Sequence, residues 1–326
     1  MTEYIEYKAL VLEKPFKMTL KRLRVPKKEH IAKMIYSGVC GTDKHAIKGE
    51  ADIKLPVVLG HENVGVVEGK RVTWPTIIPC GKCHNCKIGM ENICENNMLF
   101  GLTTTKPLFA GGWGEYTPLP EGTILYEIPD NLDDDVAVLI ETMASTKSLN
   151  QVDVTDKNVL IIGSGPIGLL SAVHAKYKDA GLIAIIGHKE QVRLIGKIVD
   201  EFYKKNTPVE ELKHSYDIVM DAGGNPGSLE YSVRAVKPRG IILEGACMPK
   251  RFDFDLRKLI KKEIKMFTQL GYVPKDFIWA IKMVEENQNI LRKVITHKFK
   301  LSEYKKAIDT MLNVHHGKIM FSLTEL

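Results

Sequence analysis

Four cysteines lie close together in the first half of the chain, with the spacing C-x2-C-x2-C-x7-C: Cys80, Cys83, Cys86 and Cys94. Thiolates bind zinc tetrahedrally, and two cysteines with two residues between them reach one ion from a tight turn. Four sulfur ligands fill every coordination position, so water cannot bind to the ion. The spacing therefore predicts a closed, structural zinc site. Free or disulfide-linked cysteines, or a separate zinc-finger module, are the alternatives.

A second set of metal-binding residue types is spread more widely. Cys40 and His61 both lie in glycine-flanked turns at the ends of apolar runs. One cysteine, one histidine and one carboxylate hold zinc and leave a position for water or substrate, as catalytic zinc requires. Glu62, beside the histidine, and Glu141, after an apolar run, are alternative sources of the carboxylate. We therefore expect a catalytic zinc here, although another divalent ion suits the same ligands.

A glycine-rich turn follows the apolar run at residues 159–162 and precedes a helical pattern. Its sequence is G-x-G-x-x-G, and the candidate cofactor-binding residues are Gly163, Ser164, Gly165, Pro166, Ile167 and Gly168. Such glycines permit the tight turn, the approach of a pyrophosphate and close packing of helix on strand. The helix N-terminus then faces the phosphates. The pattern predicts a dinucleotide-binding turn.

The end of the second predicted strand bears on the choice between NAD and NADP. An acid usually stands there and binds the adenosine ribose, but this chain has Gly187, followed by His188, Lys189 and Arg193. Loss of the acid removes repulsion against a 2'-phosphate, and the basic groups would pair with one. NADP is therefore favoured over NAD, and Gly187→Asp is expected to shift the preference toward NAD. An exposed helix start without a binding role is the alternative.

These residues need two kinds of scaffold. Residues 1–145 carry short β-type runs punctuated by glycine and proline, which indicates an irregular β domain. Residues 146–275 alternate strands and helices, which predicts a doubly wound parallel sheet, with one strand indistinct between 193 and 216. Residues 276–326 add helix, strand, helix and strand and are expected to rejoin the first domain. Ser302 is the predicted N-cap of the last helix.

Composition narrows the function further. The 326 residues are 44% hydrophobic and 26% charged, as in a soluble globular protein. No apolar run is long enough for a membrane span, and the charged amino terminus is unlike a signal peptide. We therefore expect a cytoplasmic protein. The net charge of +6 is dispersed along the chain, which argues against nucleic-acid binding.

Taken together, the motifs VCGTDKH, GHE, GGWGEY and GSGPIG and the four-cysteine segment resemble the zinc-containing medium-chain alcohol dehydrogenase superfamily. They occur in the family's order, and the resemblance covers nearly the whole chain. Glu141 makes the chain more similar to the sorbitol, threonine and sugar dehydrogenase branches. The resemblance implies a GroES-like irregular β-barrel domain beside a Rossmann domain, with the active site in the cleft between them.

The resemblance also implies roles for individual residues. Cys40 and His61 match the catalytic zinc ligands, with Glu62 and Glu141 still alternatives. Thr42 matches the hydroxyl that passes the substrate proton toward the cofactor ribose, and His45 matches the relay histidine. The implied reaction transfers a hydride between a primary or secondary alcohol or a polyol and NAD(P), in a homodimer or homotetramer. A sugar or L-threonine dehydrogenase, or a non-catalytic binding protein, are the alternatives.

Overall fold

The computed structural model describes residues 3–27, 30–103, 109–246 and 252–324. The chain forms two compact units, Met1–Glu141 with Gly271–Leu326, and Thr142–Leu270. We refer to them as unit 1 and unit 2. The predicted domain boundaries at 145/146 and 275/276 fall a few residues later. Cys247, which the sequence suggests is a packed residue, lies outside the described residues.

The strands, in chain order, are β1 (Tyr4–Lys14), β2 (Lys17–Pro26), β3 (Ile31–Val39), β4 (Val57–Val58), β5 (Asn63–Val67), β6 (Lys70–Thr73), β7 (Ile77–Ile78), β8 (Met98–Leu99), β9 (Tyr116–Pro118), β10 (Tyr126–Glu127), β11 (Asn158–Ile162), β12 (Leu182–Gly187), β13 (Glu201–Lys204), β14 (Tyr216–Asp221), β15 (Val236–Glu244), β16 (Lys265–Thr268), β17 (Ile295–Lys300) and β18 (Lys318–Ser322). The helices are α1 (Gly41–Lys48), α2 (His84–Lys87), α3 (Asp134–Ala137), α4 (Leu139–Ala144), α5 (Pro166–Tyr177), α6 (Lys189–Val192), α7 (Pro226–Ala235), α8 (Arg257–Lys262), α9 (Pro274–Glu286), α10 (Gln288–Leu291) and α11 (Tyr304–Asn313). No described helix is long and apolar enough to cross a membrane.

Unit 1 is built on mostly antiparallel sheets. Its largest sheet has the order β10-β6-β5-β3-β18-β17, with β9 also pairing β3. The C-terminal strand β18 lies antiparallel to β3, with Ile319 opposite Val39. The buried ring of Trp113 packs edge-on against Phe321 at 5.3 Å and donates its indole N–H to the Gly38 carbonyl at 3.0 Å. The chain tail is therefore part of the core of unit 1, where it lies beside the segment that carries Cys40.

Unit 2 is a parallel sheet in the order β13-β12-β11-β14-β15-β16. Each neighbouring pair is parallel, and the first strand in the chain, β11, lies near the middle. This order is the doubly wound one, so the predicted fold class is confirmed for this unit. The indistinct strand between 193 and 216 is β13, whose short run Glu201–Lys204 is only partly buried and so lacks the apolar signature of the central strands.

One predicted boundary is wrong. Ser302 does not cap the last helix, because it lies inside a 3-10 turn, Leu301–Glu303, and α11 begins at Tyr304. The Glu303 carboxylate accepts the Lys300 backbone N–H at 3.1 Å and so organises this turn. Glu303 is the N-cap residue of α11, but it makes no side-chain capping hydrogen bond to that helix.

Helix α5 is fixed to the segment before β11 by a buried histidine. His174 shares hydrogen bonds with Thr146 Oγ1 at 2.9 Å and Asn150 Oδ1 at 3.0 Å. Burial lowers the pKa of His174 to about 3, and the charge of Lys178 adds to this effect. The imidazole is therefore neutral in the folded protein at every pH at which an exposed histidine titrates.

This burial predicts acid sensitivity. Below pH 6.5 this histidine takes up a proton in the unfolded chain but stays neutral in the folded protein. The contribution of His174 to the free energy of unfolding is therefore full above pH 6.5 and decreases as the pH falls toward 3. The loss is about 1.4 kcal/mol per pH unit. We expect urea unfolding of His174→Gln at pH 7.5, 6.5 and 5.5 to show a shallower decline than that of the unmodified protein. Exposed His214 provides the control variant, His214→Gln, and parallel curves for His174→Gln would contradict the assignment.

Candidate active site

The four-cysteine segment folds so that its sulfur atoms converge. The ligand atoms of Cys80, Cys83, Cys86 and Cys94 all lie within 4.8 Å of one another. Cys83 Sγ lies 3.5 Å from Cys86 Sγ and 3.8 Å from Cys94 Sγ. Four thiolates at about 2.3 Å from one tetrahedral zinc would lie about 3.8 Å apart. The cluster could therefore hold a structural metal ion.

Backbone N–H groups also face these sulfurs. Cys94 Sγ accepts from Cys80 N at 3.3 Å and from Asn96 N at 3.4 Å. Hydrogen bonds from the backbone of Lys82 and Cys83 lower the pKa of the Cys80 thiol to about 6. Such bonds stabilise thiolate, which is the form that binds metals. The segment is thus arranged for ligation and not for apolar packing.

Cys40 stands at the junction between β3 and α1. It occupies the N-cap position of α1, where its backbone N–H donates to Asp43 Oδ2 at 2.9 Å. Its sulfur lies 3.8 Å from the Thr42 hydroxyl, and Thr42 is exposed. This short helix start therefore presents a thiol and a hydroxyl side by side.

His61 is buried in the same unit, near Cys40 and Asp43. Its Nδ1 lies 3.4 Å from Asp43 Oδ1, which is long for a hydrogen bond. Burial tends to lower the pKa of His61, but the charge of Asp43 and interactions with Asp43 and Cys40 outweigh it and raise the pKa. A carboxylate behind one imidazole nitrogen is the arrangement that orients a metal-binding histidine and leaves the other nitrogen for the ion.

Glu62 forms an ion pair that lies wholly inside unit 1. Its Oε1 lies 2.5 Å from Lys318 Nζ, and the side chains are 0% and 1% exposed. Lys318 is the first residue of β18, so the pairing of this C-terminal strand with β3 places Lys318 beside Glu62. The charges of Glu62, Cys40 and Glu141 outweigh the effect of burial and raise the pKa of Lys318. A permanent cation is thus buried among the candidate metal ligands.

Glu141 has different partners. Its Oε1 accepts hydrogen bonds from Thr76 Oγ1 and from the Tyr272 hydroxyl, both at 3.0 Å. Burial raises the pKa of the Glu141 carboxyl, and Glu62 adds to this, while His61 and Lys318 oppose it. Two neutral donors therefore orient Glu141, whereas a charged donor holds Glu62.

The donor set fits a divalent ion chemically. A partly exposed thiol lies in the same unit as a buried imidazole and two buried carboxylates. The buried atoms His61 Nδ1 and Asp43 Oδ1 have no hydrogen-bond partner among the described residues. Within those residues, however, only the four-cysteine cluster brings three or more ligand atoms within 4.8 Å of one another. The ligand atoms are thus not yet at metal-binding distance from one another in the set formed by Cys40, His61 and either glutamate.

Several residues of this region were not singled out from the sequence. Asp43 stands inside the VCGTDKH motif, where its spacing from Cys40 was a usable signal. No sequence signal identified Thr76, Tyr272 or Lys318, because these residues are distant in the chain and their residue types are common. Their roles arise from pairing between unit 1 strands and the chain tail.

His45 lies on α1, at the protein surface. Its Nδ1 is 2.6 Å from Glu50 Oε2, and both side chains are about half exposed. The hydrogen bond from His45 lowers the pKa of the Glu50 carboxyl. His45 is three positions after Thr42, so both project from one side of the short helix. Because His45 and Glu50 are both in contact with solvent, this pair is able to exchange protons with water.

The glycine turn in unit 2 has the geometry that the sequence predicts. Gly163 has φ 106°, and a Cβ on Gly168 would lie 2.0 Å from the Gly163 carbonyl oxygen. Gly165 is the N-cap of α5, and a Cβ placed there would meet nothing within 4 Å. Gly163 and Gly168 are therefore needed by the fold, while Gly165 leaves open space before the helix N-terminus. That space suits a bound phosphate group.

Steric overlap explains why a glycine stands at the end of β12. A Cβ on Gly187 would lie 2.3 Å from Ser164 Oγ and 2.5 Å from Ser164 Cβ. The serine hydroxyl accepts the His188 backbone N–H at 2.8 Å and donates to Gln191 at 2.6 Å. Ser164 thus occupies the place where an acidic side chain would begin. The predicted Gly187→Asp exchange does not fit unless Ser164 is also removed.

The basic residues after β12 differ in exposure. His188 is half-buried at the N-cap of α6, whereas Lys189 and Arg193 are exposed. Lys189 and Arg193 form no ion pair with any residue in the described ranges. Ile167 lies in the first turn of α5, after Pro166 at its first position. The candidate cofactor-binding residues are thus gathered around one end of the parallel sheet.

Family comparisons agree with this architecture. The model of the alcohol dehydrogenase GroES-like domain matches residues 26–130. The model of the glucose dehydrogenase C-terminus matches residues 136–319, more than half of the chain. The predicted GroES-like domain is therefore confirmed.

Individual relatives cover nearly the same length. The chain is 30% identical to a sorbitol dehydrogenase of Halalkalibacterium halodurans, over 89% of this chain and 90% of the relative. It is 28% identical to L-threonine 3-dehydrogenase of Pyrococcus furiosus, over 90% of this chain and 91% of the relative. An alcohol dehydrogenase structure from Thermotoga maritima superposes with a TM-score of 0.88 at 23% identity, covering 98% of this chain and 99% of that one. The chain belongs to the zinc-containing medium-chain alcohol dehydrogenase superfamily, and it is an oxidoreductase that transfers hydride between CH–OH groups and NAD(P).

Proposed function

We propose that the protein oxidises secondary alcohols of polyols or related small hydroxy compounds, with unit 1 as the catalytic domain and unit 2 as the cofactor domain. The observation that carries the proposal is the partly exposed Cys40 thiol beside the exposed Thr42 hydroxyl, with His61, Glu62 and Glu141 buried in the same unit. A non-catalytic protein of this fold would have no need for that combination.

In this proposal Cys40, His61 and a glutamate would hold the catalytic zinc. When bound, zinc supplies Lewis acidity to an alcohol oxygen, and the nicotinamide ring supplies a hydride acceptor. Asp43 orients the His61 ring from behind. Glu141, oriented by Thr76 and Tyr272, is our preferred carboxylate ligand. Glu62 is the alternative ligand, and it is less favoured because Lys318 already balances its charge.

The proposed proton path begins at Thr42. Its hydroxyl would accept the proton that the alcohol releases and pass its own proton on toward the cofactor ribose and His45. Its position 3.8 Å from Cys40 Sγ supports this role. His45 then delivers the proton to water, with Glu50 as its hydrogen-bond partner. Proton transfer by positioned groups of this kind is worth roughly 10²–10⁴ in rate.

The four-cysteine cluster has a separate role in the proposal. With all four sulfurs bound, its zinc has no open position, and it stabilises the segment between β7 and β8. The protein would then carry one catalytic and one structural zinc. The catalytic and structural roles are thereby assigned to different ligand sets.

A substrate screen tests the proposed activity. Purified, zinc-replete protein is mixed with NAD or NADP and with aliphatic alcohols, polyols, aldoses or L-threonine, and reduced cofactor is followed by its absorbance. Polyol-dependent reduction is the expected result. L-Threonine is the second candidate substrate, favoured by the similarity to the Pyrococcus enzyme. Failure of every alcohol to reduce either cofactor would reject the proposal.

NADP is the proposed cofactor, because no acid stands at the end of β12 and exposed Lys189 and Arg193 follow it. We expect Ser164→Gly combined with Gly187→Asp to shift the ratio of kcat/KM values toward NAD by about tenfold or more. The new carboxylate would repel a 2'-phosphate and accept hydrogen bonds from the ribose of NAD. Steady-state kinetics with both cofactors measures the ratio.

The single variants serve as controls for that design. Ser164→Gly alone removes the obstructing side chain without adding a charge, so its preference should stay close to that of the unmodified protein. Gly187→Asp alone should weaken binding of both cofactors because of the overlap with Ser164. A double variant that still prefers NADP by the original ratio would contradict the assignment.

A further inference from the structure

Two buried carboxyl groups end neighbouring strands of the unit 2 sheet. Asp221 is the last residue of β14 and Glu244 the last residue of β15, and the two are opposite each other in the parallel register. Their side chains are 0% and 6% exposed. Neighbouring strands lie about 4.8 Å apart, so the two carboxyl groups are close neighbours at the carboxyl edge of the sheet.

The two groups are held in the same way. Asp221 Oδ1 accepts the Gly223 N–H at 2.8 Å, and Glu244 Oε1 accepts the Ala246 N–H at 3.1 Å. The second oxygen of each group, Oδ2 or Oε2, is buried and has no hydrogen-bond partner among the described residues. Buried polar atoms without partners are costly, so their retention calls for an explanation.

No cation balances this pair within the described part of unit 2. Burial raises the pKa of both carboxyl groups, and the charge of Asp221 contributes to raising the pKa of Glu244 to about 7. Two such groups resist double ionisation and share their titration. Above neutral pH the pair nevertheless carries negative charge in a region that water hardly reaches.

The pair lies on a definable side of the nucleotide turn. A Cβ on Gly163 would lie 3.0 Å from the Ala222 carbonyl oxygen, so the turn packs directly against the residues after Asp221. In a sheet of this order the pyrophosphate lies at the helix that follows β11, and the adenosine ribose lies over the end of β12. The nicotinamide half of the dinucleotide then extends to the other side, over the ends of β14 and β15.

We infer that the Asp221–Glu244 carboxyl pair makes the protein bind the oxidised nicotinamide cofactor in preference to the reduced one. The oxidised ring carries a positive charge and the reduced ring does not, so a buried negative charge attracts only the oxidised form. The effect needs no direct contact, because charges act over several ångströms where water is excluded. The inference rests on the proposed function, since it assumes that unit 2 binds a nicotinamide dinucleotide.

The test compares dissociation constants for the two redox states of one cofactor. NADPH is titrated by its fluorescence and NADP⁺ by its competition with NADPH, both at pH 8 and without substrate. Glu244→Gln is expected to raise the Kd of NADP⁺ by about three- to tenfold and to change that of NADPH less than about twofold. Merely structural damage would weaken both forms alike, so the ratio of the two constants is the decisive quantity.

Two further variants complete the experiment. Asp221→Asn should change the ratio in the same direction, and it stands in if Glu244→Gln does not fold. Asp217→Asn removes a carboxylate from the opposite end of β14, about 13 Å away, and should leave the ratio unchanged. Equal changes for both redox states, or no change in either, would overturn the inference. If the unmodified protein bound no nicotinamide nucleotide, the proposed function itself would fail.

Discussion

Replacing Cys40 with serine is expected to lower kcat by at least about 10³-fold while the chain stays folded. A serine hydroxyl is a poor zinc ligand because it does not ionise at neutral pH, so the catalytic ion loses one of its anionic ligands. Lewis-acid stabilisation is worth several kcal/mol, and each 1.36 kcal/mol corresponds to a factor of ten in rate. Zinc content should fall from about two ions per chain to about one.

The four-cysteine cluster provides the matched control. Cys83→Ser makes the same chemical change at a ligand of the proposed structural site. It should also remove about one zinc per chain, but its main effect should be on the unfolding temperature. Cobalt substitution separates the two sites, since each cysteine bound to cobalt contributes sulfur-to-metal absorption. A Cys40→Ser protein that keeps both ions and its turnover would refute the assignment.

Replacing Lys318 with methionine is expected to destabilise the protein by about 3–5 kcal/mol. The change leaves the Glu62 carboxylate, which is fully buried, without its cation. Breaking a buried ion pair from one side costs that much because the remaining charge is uncompensated. The unfolding temperature should fall by roughly 10 °C, given about 2–4 °C per kcal/mol for a folding unit of this size. Thermal and urea unfolding of the zinc-replete protein measure the effect.

A second change distinguishes charge from packing. In Lys318→Met combined with Glu62→Gln the buried charge is gone, so much of the lost stability should return. Lys282→Met is the surface control, because Lys282 pairs with Glu286 in an exposed position and such pairs contribute about 0–1 kcal/mol. Equal losses in the single and the double variant would show that Lys318 stabilises only through its packed side chain.

The Glu62–Lys318 pair also bears on the choice of zinc ligand. Oε1 of Glu62 is held by the charged Lys318 ammonium, whereas Oε1 of Glu141 accepts hydrogen bonds from the neutral hydroxyl groups of Thr76 and Tyr272. The two glutamates that are equivalent as residue types are therefore unequal in their surroundings.

Local patterns carried much of the prediction. The cysteine spacing needs only one tight segment, and the glycine turn needs only a strand, a turn and a helix that are contiguous in the chain. Cys80, Cys83, Cys86 and Cys94 therefore converge as expected, and Gly163 adopts its positive φ. The start of α11 was predicted wrongly because a 3-10 turn, Leu301–Glu303, precedes the helix and includes Ser302.

The steric role of Gly187 depends on a residue that is distant in the chain. From the sequence, Gly187 is notable only because an acidic residue is missing at this position. In the structure, the side chain of Ser164, 23 residues earlier, occupies the space that a side chain at position 187 would need. Contact between the ends of two parallel strands depends on their register, which the sequence does not state. A change of cofactor preference at this position therefore requires substitution of both Gly187 and Ser164.

The sequence by itself determined the family, the fold class and the residue types able to bind metal and dinucleotide, because each depends on neighbours within a short stretch of chain. Only the tertiary structure decided that Lys318 neutralises Glu62, that Tyr272 and Thr76 orient Glu141, and that Asp221 and Glu244 lie side by side. These partners are far apart in the chain, and strand pairing brings them together. The charge that each ligand experiences is therefore a property of the packed sheets and not of any motif.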